Sequence, residues 1–312
     1  MPKQERNVKV RKWTASDSAG GSVRDAARQS LSHQLATVRK YLALAAKGKD
    51  ANIENVHKLR VCTRRSIEAL RIYSSVLPKK HVNWFRKTLK EIRQSAGEAR
   101  DLDVLAQRLS GNPAIDTTEL INLIQKHRKK AQRPIKNLFR QLQSRNLLVH
   151  RINSLLEKIE PDGPQSPCIG TWAQKRLKKT VDQFLSADPS GTKDVDAIHQ
   201  FRIRGKQLRY AIELLASAFP KQLTSEIYAK VKQLQERLGR LNDHAFAAKK
   251  IQEWIDMDGD CEQVNDLKKS LDVESSGLDQ SLKEFYDWWT PMVRSELKES
   301  LNRITTCSLA VF

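Results

Sequence analysis

The chain has 312 residues, with 56 Lys and Arg against 36 Asp and Glu, and a formal net charge of +20. A chain of this length buries a sizeable core, which excludes a fold that depends on disulfide or metal support. Residues 253–287 hold eleven acids and three bases, so the remainder carries about +28. This concentration of positive charge predicts an anionic partner, such as nucleic acid, an acidic membrane surface or a polyphosphate.

Apolar residues recur at helical spacing along almost the whole chain, which predicts an all-α protein. In chain order, we expect helices near residues 24–47, 54–77, 80–109, 117–159, 168–187, 195–218, 221–257 and 262–305. Pro134 is expected to kink the fourth helix, and Pro291 to kink or end the last one. We therefore predict a basic N-terminal tail over 1–22, a first bundle over 23–160, a linker over 161–167 and a second bundle over 168–312.

The second set of helices repeats the first at a constant offset of 142 residues. The matched positions are His57 and His199, Arg60 and Arg202, Arg64 and Lys206, Leu70 and Ile212, Pro78 and Pro220, Gly97 and Gly239, and Asp101 and Asp243. An ungapped register of this length indicates two similar helical bundles in one chain, which we expect to be related by a pseudo-twofold axis.

The repeated helix carries a basic face in both copies. At about 100° per residue, the basic residues fall on one side: His57, Arg60, Arg64 and Arg71 in the first copy, and His199, Arg202, Lys206 and Arg209 in the second. The opposite side is mainly apolar: Leu59, Thr63, Ser66, Leu70 and Leu77, and then Phe201, Leu208, Ile212 and Leu215. Like charges at this spacing repel one another, so their recurrence indicates a surface that binds an anion.

These motifs resemble the CHAD family, the conserved histidine α-helical domain, from about Arg24 to Arg303. The helix pattern H-x-x-R-x-x-x-[RK] occurs twice, and Gly97-Glu-Ala-Arg100-Asp101-Leu-Asp103-Val is similar to the family's second signature. The resemblance implies two four-helix bundles around a basic groove that binds inorganic polyphosphate, sometimes at polyphosphate granules. The implied ligands are the two basic rows given above.

Other positions are expected to support or extend this groove. Lys90 and its repeat partner Lys232 are included among the polyphosphate ligands, and the supporting set is Arg65, Arg86, Lys87, Arg93, Arg100, Asp101, Tyr210 and Asp243. Asp101 and Asp243 would orient an Arg or His as buried carboxylates, with metal ligation as the alternative. Most of the basic run from Arg128 to Arg140 is interpreted as solvated.

The sequence departs from the family pattern in three places. Ile67 stands where a further basic residue is usual, and Asn242 replaces the repeat counterpart of Arg100, so the two halves are not expected to bind equally. No triphosphate-processing domain of the CYTH type precedes the helices, which argues against an enzymatic role.

The cysteines and the chain start indicate a cytoplasmic protein without membrane insertion. Cys62, Cys168, Cys261 and Cys307 lack the spacing of a disulfide framework or zinc site. Residues 1–21 are basic and lack the apolar core of a signal peptide, and no apolar run reaches transmembrane length.

Two other functions are weighed against polyphosphate binding. RNA or single-stranded DNA would suit the charge, but such sites normally add aromatic residues, and only Tyr210 borders either basic row. A polyphosphate-hydrolysing enzyme would need an activated water or a metal centre, and no catalytic motif is present. The acidic stretch 256–260 does not have the spacing of a calcium loop. We expect no cofactor and no catalysis.

Overall fold

The computed structural model describes residues 22–47, 53–110, 118–159, 169–190, 192, 194–257 and 264–306. The helices of the first half are α1 (Val23–Lys47), α2 (Ile53–Ile72), α3 (Lys79–Ser95), α4 (Gly97–Leu109), α5 (Thr118–Ala131), α6 (Arg133–Gln143) and α7 (Leu147–Glu157). Those of the second half are α8 (Ile169–Leu185), α9 (Val195–Leu215), α10 (Lys221–Met257), α11 (Val264–Trp288) and α12 (Pro291–Thr306). The all-α prediction is confirmed. Among these helices, none is both long enough and apolar enough to cross a bilayer.

Three of the expected long helices are broken. The third divides at Ala96, which lies outside helical geometry with a ψ of 5°, immediately before Gly97. The fourth does not kink at Pro134; instead α5 ends at Ala131 and the proline occupies the first turn of α6, where its missing N–H costs no helical hydrogen bond. Arg145 and Asn146 then adopt positive φ angles and separate α6 from α7. The last expected helix ends before Pro291, as predicted.

The apolar sides of α2 and α9 form part of the core, as the helical spacing predicts. Leu59, Leu70, Phe201 and Leu208 are each fully buried. In the first half, α2 packs against α1, α3 and α4; in the second, α9 packs against α8 and α10. The two halves meet where α2 contacts α9. The division into two bundles stays a prediction, because the linker 161–167 lies outside the described residues.

One residue of the basic run on α5 and α6 contradicts the solvated interpretation. Arg128 is 7% exposed and its Nε donates to Asp103 at 2.8 Å, while the same guanidinium also donates to Gln132. Burial is tolerated because the charge is paired and its N–H groups are satisfied. The other members of the run are exposed: Lys129, Lys130, Arg133, Lys136 and Arg140.

Candidate anion-binding site

A cavity of about 340 Å³ lies between α2, α4, α9 and α10. Seven of its lining residues are Lys or Arg and three are Asp or Glu. The ionisable lining comprises His57, Arg60, Arg64, Arg100, Asp101, Arg202, Lys206, Arg209, Lys232, Glu236 and Asp243. The cavity therefore joins basic residues of both repeats in one space, with a cationic excess even when His57 is neutral.

Arg60 is held at the edge of this cavity by α3 and α4. Its Nη1 donates to the backbone oxygen of Arg93 at 3.4 Å, and its Nη2 lies 3.9 Å from Asp101 Oδ1. A Cβ atom at Gly97 would lie 3.4 Å from Nη1, which is the near limit of ordinary van der Waals contact. Asp101 is 40% exposed and makes the expected pair with an arginine, Arg60, but the expected burial and hydrogen bond are absent, since 3.9 Å is beyond hydrogen-bond distance.

Lys206 lies among cations contributed by both halves. Burial, together with the charges of Arg202, Arg64 and Arg209, lowers its pKa to about 7, against a smaller opposing effect of Asp243. Among the described residues, no acceptor lies within hydrogen-bond or ion-pair distance of its amine. A solvated lysine stays charged near pH 7. Because the pKa of Lys206 is about 7, roughly half of its amines are neutral at that pH.

Arg64 and Arg202 are incompletely satisfied. The Nε atoms of both side chains are buried and have no hydrogen-bond partner, and the same holds for Arg209. Burial also lowers the pKa of Arg202, which Asp243 partly offsets. Buried N–H groups without acceptors cost free energy, and an anion in the cavity could supply the missing acceptors.

The two histidines of the motif occupy different surroundings. His57 lines the cavity, and burial together with the charge of Arg100 lowers its pKa. His199 is exposed and instead borders a small, mainly apolar pocket formed with α10 and α11. A pH effect from His57 should therefore lie below pH 6.5, the ordinary value for histidine.

Arg71 and Arg65 form polar contacts between the halves and do not line the cavity. Arg71 Nε donates to Glu68 at 2.8 Å, and its Nη2 donates to the Thr180 hydroxyl on α8 at 3.0 Å. Arg65 Nε donates at 3.0 Å to Glu213, which is 3% exposed. Glu213 also accepts a hydrogen bond from the Tyr228 hydroxyl at 3.0 Å, and lies 3.8 Å from Arg209 Nε. Buried Glu213 was not identified from the sequence, although an acid within the apolar run 210–215 is a usable signal.

Tyr210 is buried and does not present its ring to the cavity. Arg65 and Arg209 lie 5.9 and 5.1 Å from its ring centroid, in cation–π contact. Of the residues lining the cavity, Phe246 is the one Phe, Tyr or Trp.

Most of the remaining predicted positions lie outside the cavity. Arg86, Lys87 and Lys90 are exposed on α3, whereas Lys232, the repeat partner of Lys90, lines the cavity and pairs with Glu236 at 3.2 Å. Arg93 contributes its backbone oxygen to Arg60. The two halves thus contribute unequally to this space.

A second cavity, of about 800 Å³, adjoins the first and shares Arg100, Val104 and Asp243 with it. Its wall contains Arg108, which donates to Glu274 at 3.0 Å, and His244, whose Nδ1 lies 2.7 Å from the same carboxylate. This cluster was not predicted from the sequence, because its members are 30 or more residues apart.

Gln235 is a further lining residue that the sequence analysis missed. Its amide packs over Gly205, where a Cβ atom would approach Nε2 to 2.1 Å. A side chain at position 205 would require the flexible end of Gln235 to move. Among the described residues, no group of three or more His, Cys, Asp or Glu has the arrangement of a metal site.

Comparisons with known proteins agree with this architecture. The structure is similar to the crystal structure of the CHAD domain from the plant Ricinus communis, with a TM-score of 0.72 and 20% identity, covering 94% of this chain and 96% of that one. It is also similar to PptA from Streptomyces chartreusis, with a TM-score of 0.56 and 13% identity, covering 84% and 100%. At these identities the likeness shows the fold alone, and a comparison with curated proteins finds no match. The CHAD domain model matches residues 29–252, well over half of the sequence, and the chain belongs to the CHAD domain family.

Proposed function

We propose that this protein binds inorganic polyphosphate in the cavity between α2 and α9 and does not hydrolyse it. The observation that carries the proposal is the pair of buried Nε atoms on Arg64 and Arg202, one from each half, which lack acceptors at the wall of one cavity. Phosphate oxygens are strong acceptors for guanidinium groups, and their charge would offset the repulsion among these side chains.

A polymeric anion suits the site better than a single phosphate. The first cavity shares Arg100 with the larger second cavity, whose other guanidinium group, Arg108, is paired with Glu274. A chain of phosphates could therefore contact several cations of the first cavity and extend past Arg100, and each contact with a cation would release condensed counterions. By family association, polyphosphate granules are a cellular location that suits this activity.

Nucleic acid is the second choice. Base stacking requires exposed aromatic faces, but Tyr210 is buried beneath two arginines, which leaves Phe246 at the cavity wall. Bare phosphates need closely spaced cations and no stacking surface, so the side chains favour polyphosphate over RNA.

Competition binding tests the proposal directly. Labelled long-chain polyphosphate is titrated with the full chain, and then competed with unlabelled polyphosphate or with single-stranded RNA of the same total charge. We expect RNA to compete at least tenfold more weakly; equal competition would contradict the choice of ligand. Orthophosphate release is measured on the same samples, and release in proportion to protein concentration would overturn the non-catalytic assignment.

A charge-matched pair of variants tests the location. Arg64→Gln with Arg202→Gln removes two cations from the cavity, whereas Lys129→Gln with Lys130→Gln removes two exposed cations from α5. We expect at least tenfold weaker binding for the first pair, because charged hydrogen bonds contribute about 1.5–3 kcal/mol each, and less than a twofold change for the second. Equal effects would place the polyphosphate elsewhere.

A further inference from the structure

Lys206 differs from the other lysine of the cavity in ways that bear on chemical reactivity. Lys232 is exposed and pairs with Glu236 at 3.2 Å, whereas Lys206 is half-buried and, among the described residues, has no carboxylate partner. Lys206 lines the same cavity as charged groups from three helices: Arg202 and Arg209 on α9, Arg64 on α2 and Asp243 on α10. The three arginines disfavour the ammonium form, while they would attract a phosphate group to the same place.

We propose that Lys206 is a covalent modification site for phosphorylated aldehydes, with the surrounding guanidinium groups as receptor for the phosphate. The neutral amine attacks the carbonyl carbon, forming a C–N bond, and the carbinolamine then loses water to give an imine. Nothing is oxidised or reduced in this step. The modification would place a phosphate dianion inside the cavity, and would therefore compete with other phosphate ligands.

The physical basis is a free amine held beside a phosphate receptor. The pKa of Lys206 is lowered to about 7, mainly by burial, so about half of its amines are unprotonated at neutral pH. An ordinary lysine with a pKa of about 10.4 has on the order of a thousandfold less free amine at that pH. A less basic amine is a weaker nucleophile, which offsets part of this advantage, so we expect at least a tenfold faster reaction at Lys206.

Pyridoxal 5′-phosphate is the probe for this reaction, and pyridoxal, which lacks the phosphate, is its control. The full chain is incubated with either aldehyde at pH 6, 7, 8 and 9, reduced with borohydride to fix the imine, and mapped by peptide mass spectrometry. With pyridoxal 5′-phosphate far below saturation, so that the rate reflects the free protein, we expect labelling of Lys206 at least tenfold faster than of Lys232, with a rate that levels off above about pH 7.5. With pyridoxal we expect the preference for Lys206 over Lys232 to be at least fivefold smaller, because pyridoxal has no phosphate to bind the arginines.

Three outcomes would overturn the inference: equal labelling of Lys206 and Lys232, a Lys206 rate that still rises steeply between pH 8 and 9, or an equal preference with both aldehydes. Arg64→Gln, or Arg202→Gln if the first variant does not fold, should reduce the preference for the phosphorylated aldehyde at Lys206.

The inference rests on phosphate binding by the cavity, which the proposed function also requires, but polyphosphate need not be the ligand. If polyphosphate binds and Lys206 is not labelled selectively, the modification site alone is wrong. If Lys206 is labelled selectively and polyphosphate does not bind, the proposed function alone is wrong.

Discussion

Polyphosphate affinity should decrease as the pH rises from 7 to 9, because binding requires Lys206 to be charged. In the free protein, burial and the neighbouring arginines lower the pKa of Lys206 to about 7. In the complex, phosphate oxygens beside the amine favour the ammonium form and raise its pKa. Binding above pH 7 therefore takes up a proton, and its free energy becomes less favourable by up to about 1.4 kcal/mol for each pH unit.

The size of the effect follows from the protonated fraction of the free protein. About half of the Lys206 amines are charged at pH 7 and about one in a hundred at pH 9, so affinity should fall about fiftyfold over this interval if the pKa in the complex exceeds 9. The arginines that face Lys206 keep their charge throughout, and His57, whose pKa is lowered, is neutral over the same range. Lys206 thus accounts for the expected dependence.

The assay is equilibrium binding of labelled polyphosphate at fixed ionic strength between pH 6 and 9, since salt alone changes the affinity. Lys206→Arg is the matched control, because a guanidinium keeps its charge over this interval and should give a nearly flat profile. Any titration of the polyphosphate itself appears equally in both proteins. A wild-type profile that is flat, or that has the same slope as Lys206→Arg, would refute the reasoning.

Three further predictions concern salt dependence and stability. Arg60→Ala with Arg64→Ala should lower the slope of log K against log salt by about 1.5 in magnitude, measured by titration at four salt concentrations; an unchanged slope would place the contacts elsewhere. Glu213→Gln should lower the free energy of unfolding in urea by about 3 kcal/mol, since it leaves Arg65, whose side chain is 11% exposed, without its carboxylate. The control is Glu236→Gln, at an exposed pair, which should change the free energy of unfolding by less than about 1 kcal/mol. Lys206→Met should raise the melting temperature at pH 7 and lose this advantage towards pH 10.5. The direction follows because the pKa of Lys206 is lower in the folded protein than in the unfolded chain, so the charged lysine destabilises the fold most at low pH. An increase in melting temperature that is the same at every pH would contradict this reasoning.

Helical periodicity predicted the fold class and the two faces of α2 and α9, because both depend on residues close together in the sequence. The same reasoning placed His57, Arg60, Arg64, Arg202, Lys206 and Arg209 on one side of their helices, and all six line the cavity. The repeat also drew attention to Lys232, which lines it as well.

Contacts between distant segments could not be predicted in this way. Arg71 falls on the basic face by angle, but it lies several turns beyond His57, where α8 and Glu68 offer closer partners than the cavity. Arg128 was assigned to solvent because its helix is basic all round, and its partner Asp103 belongs to a different helix. The break at Ala96 was missed because the apolar spacing continues across it.

The arrangement of acids explains how so much positive charge can remain concentrated in one cavity. Glu213 and Glu274 are buried and pair with Arg65 and Arg108, each joining the first half to the second. Charge-assisted hydrogen bonds of this kind satisfy the buried carboxylates away from most of the cavity cations. Arg64 and Arg65 are adjacent in the sequence, yet about 100° of helical rotation separates them. Arg65 therefore reaches the carboxylate of Glu213, whereas Arg64 has no acceptor at Nε. The ion pairs that connect the halves therefore leave the cavity with an excess of positive charge, and a bound phosphate chain would supply the negative charge that offsets it.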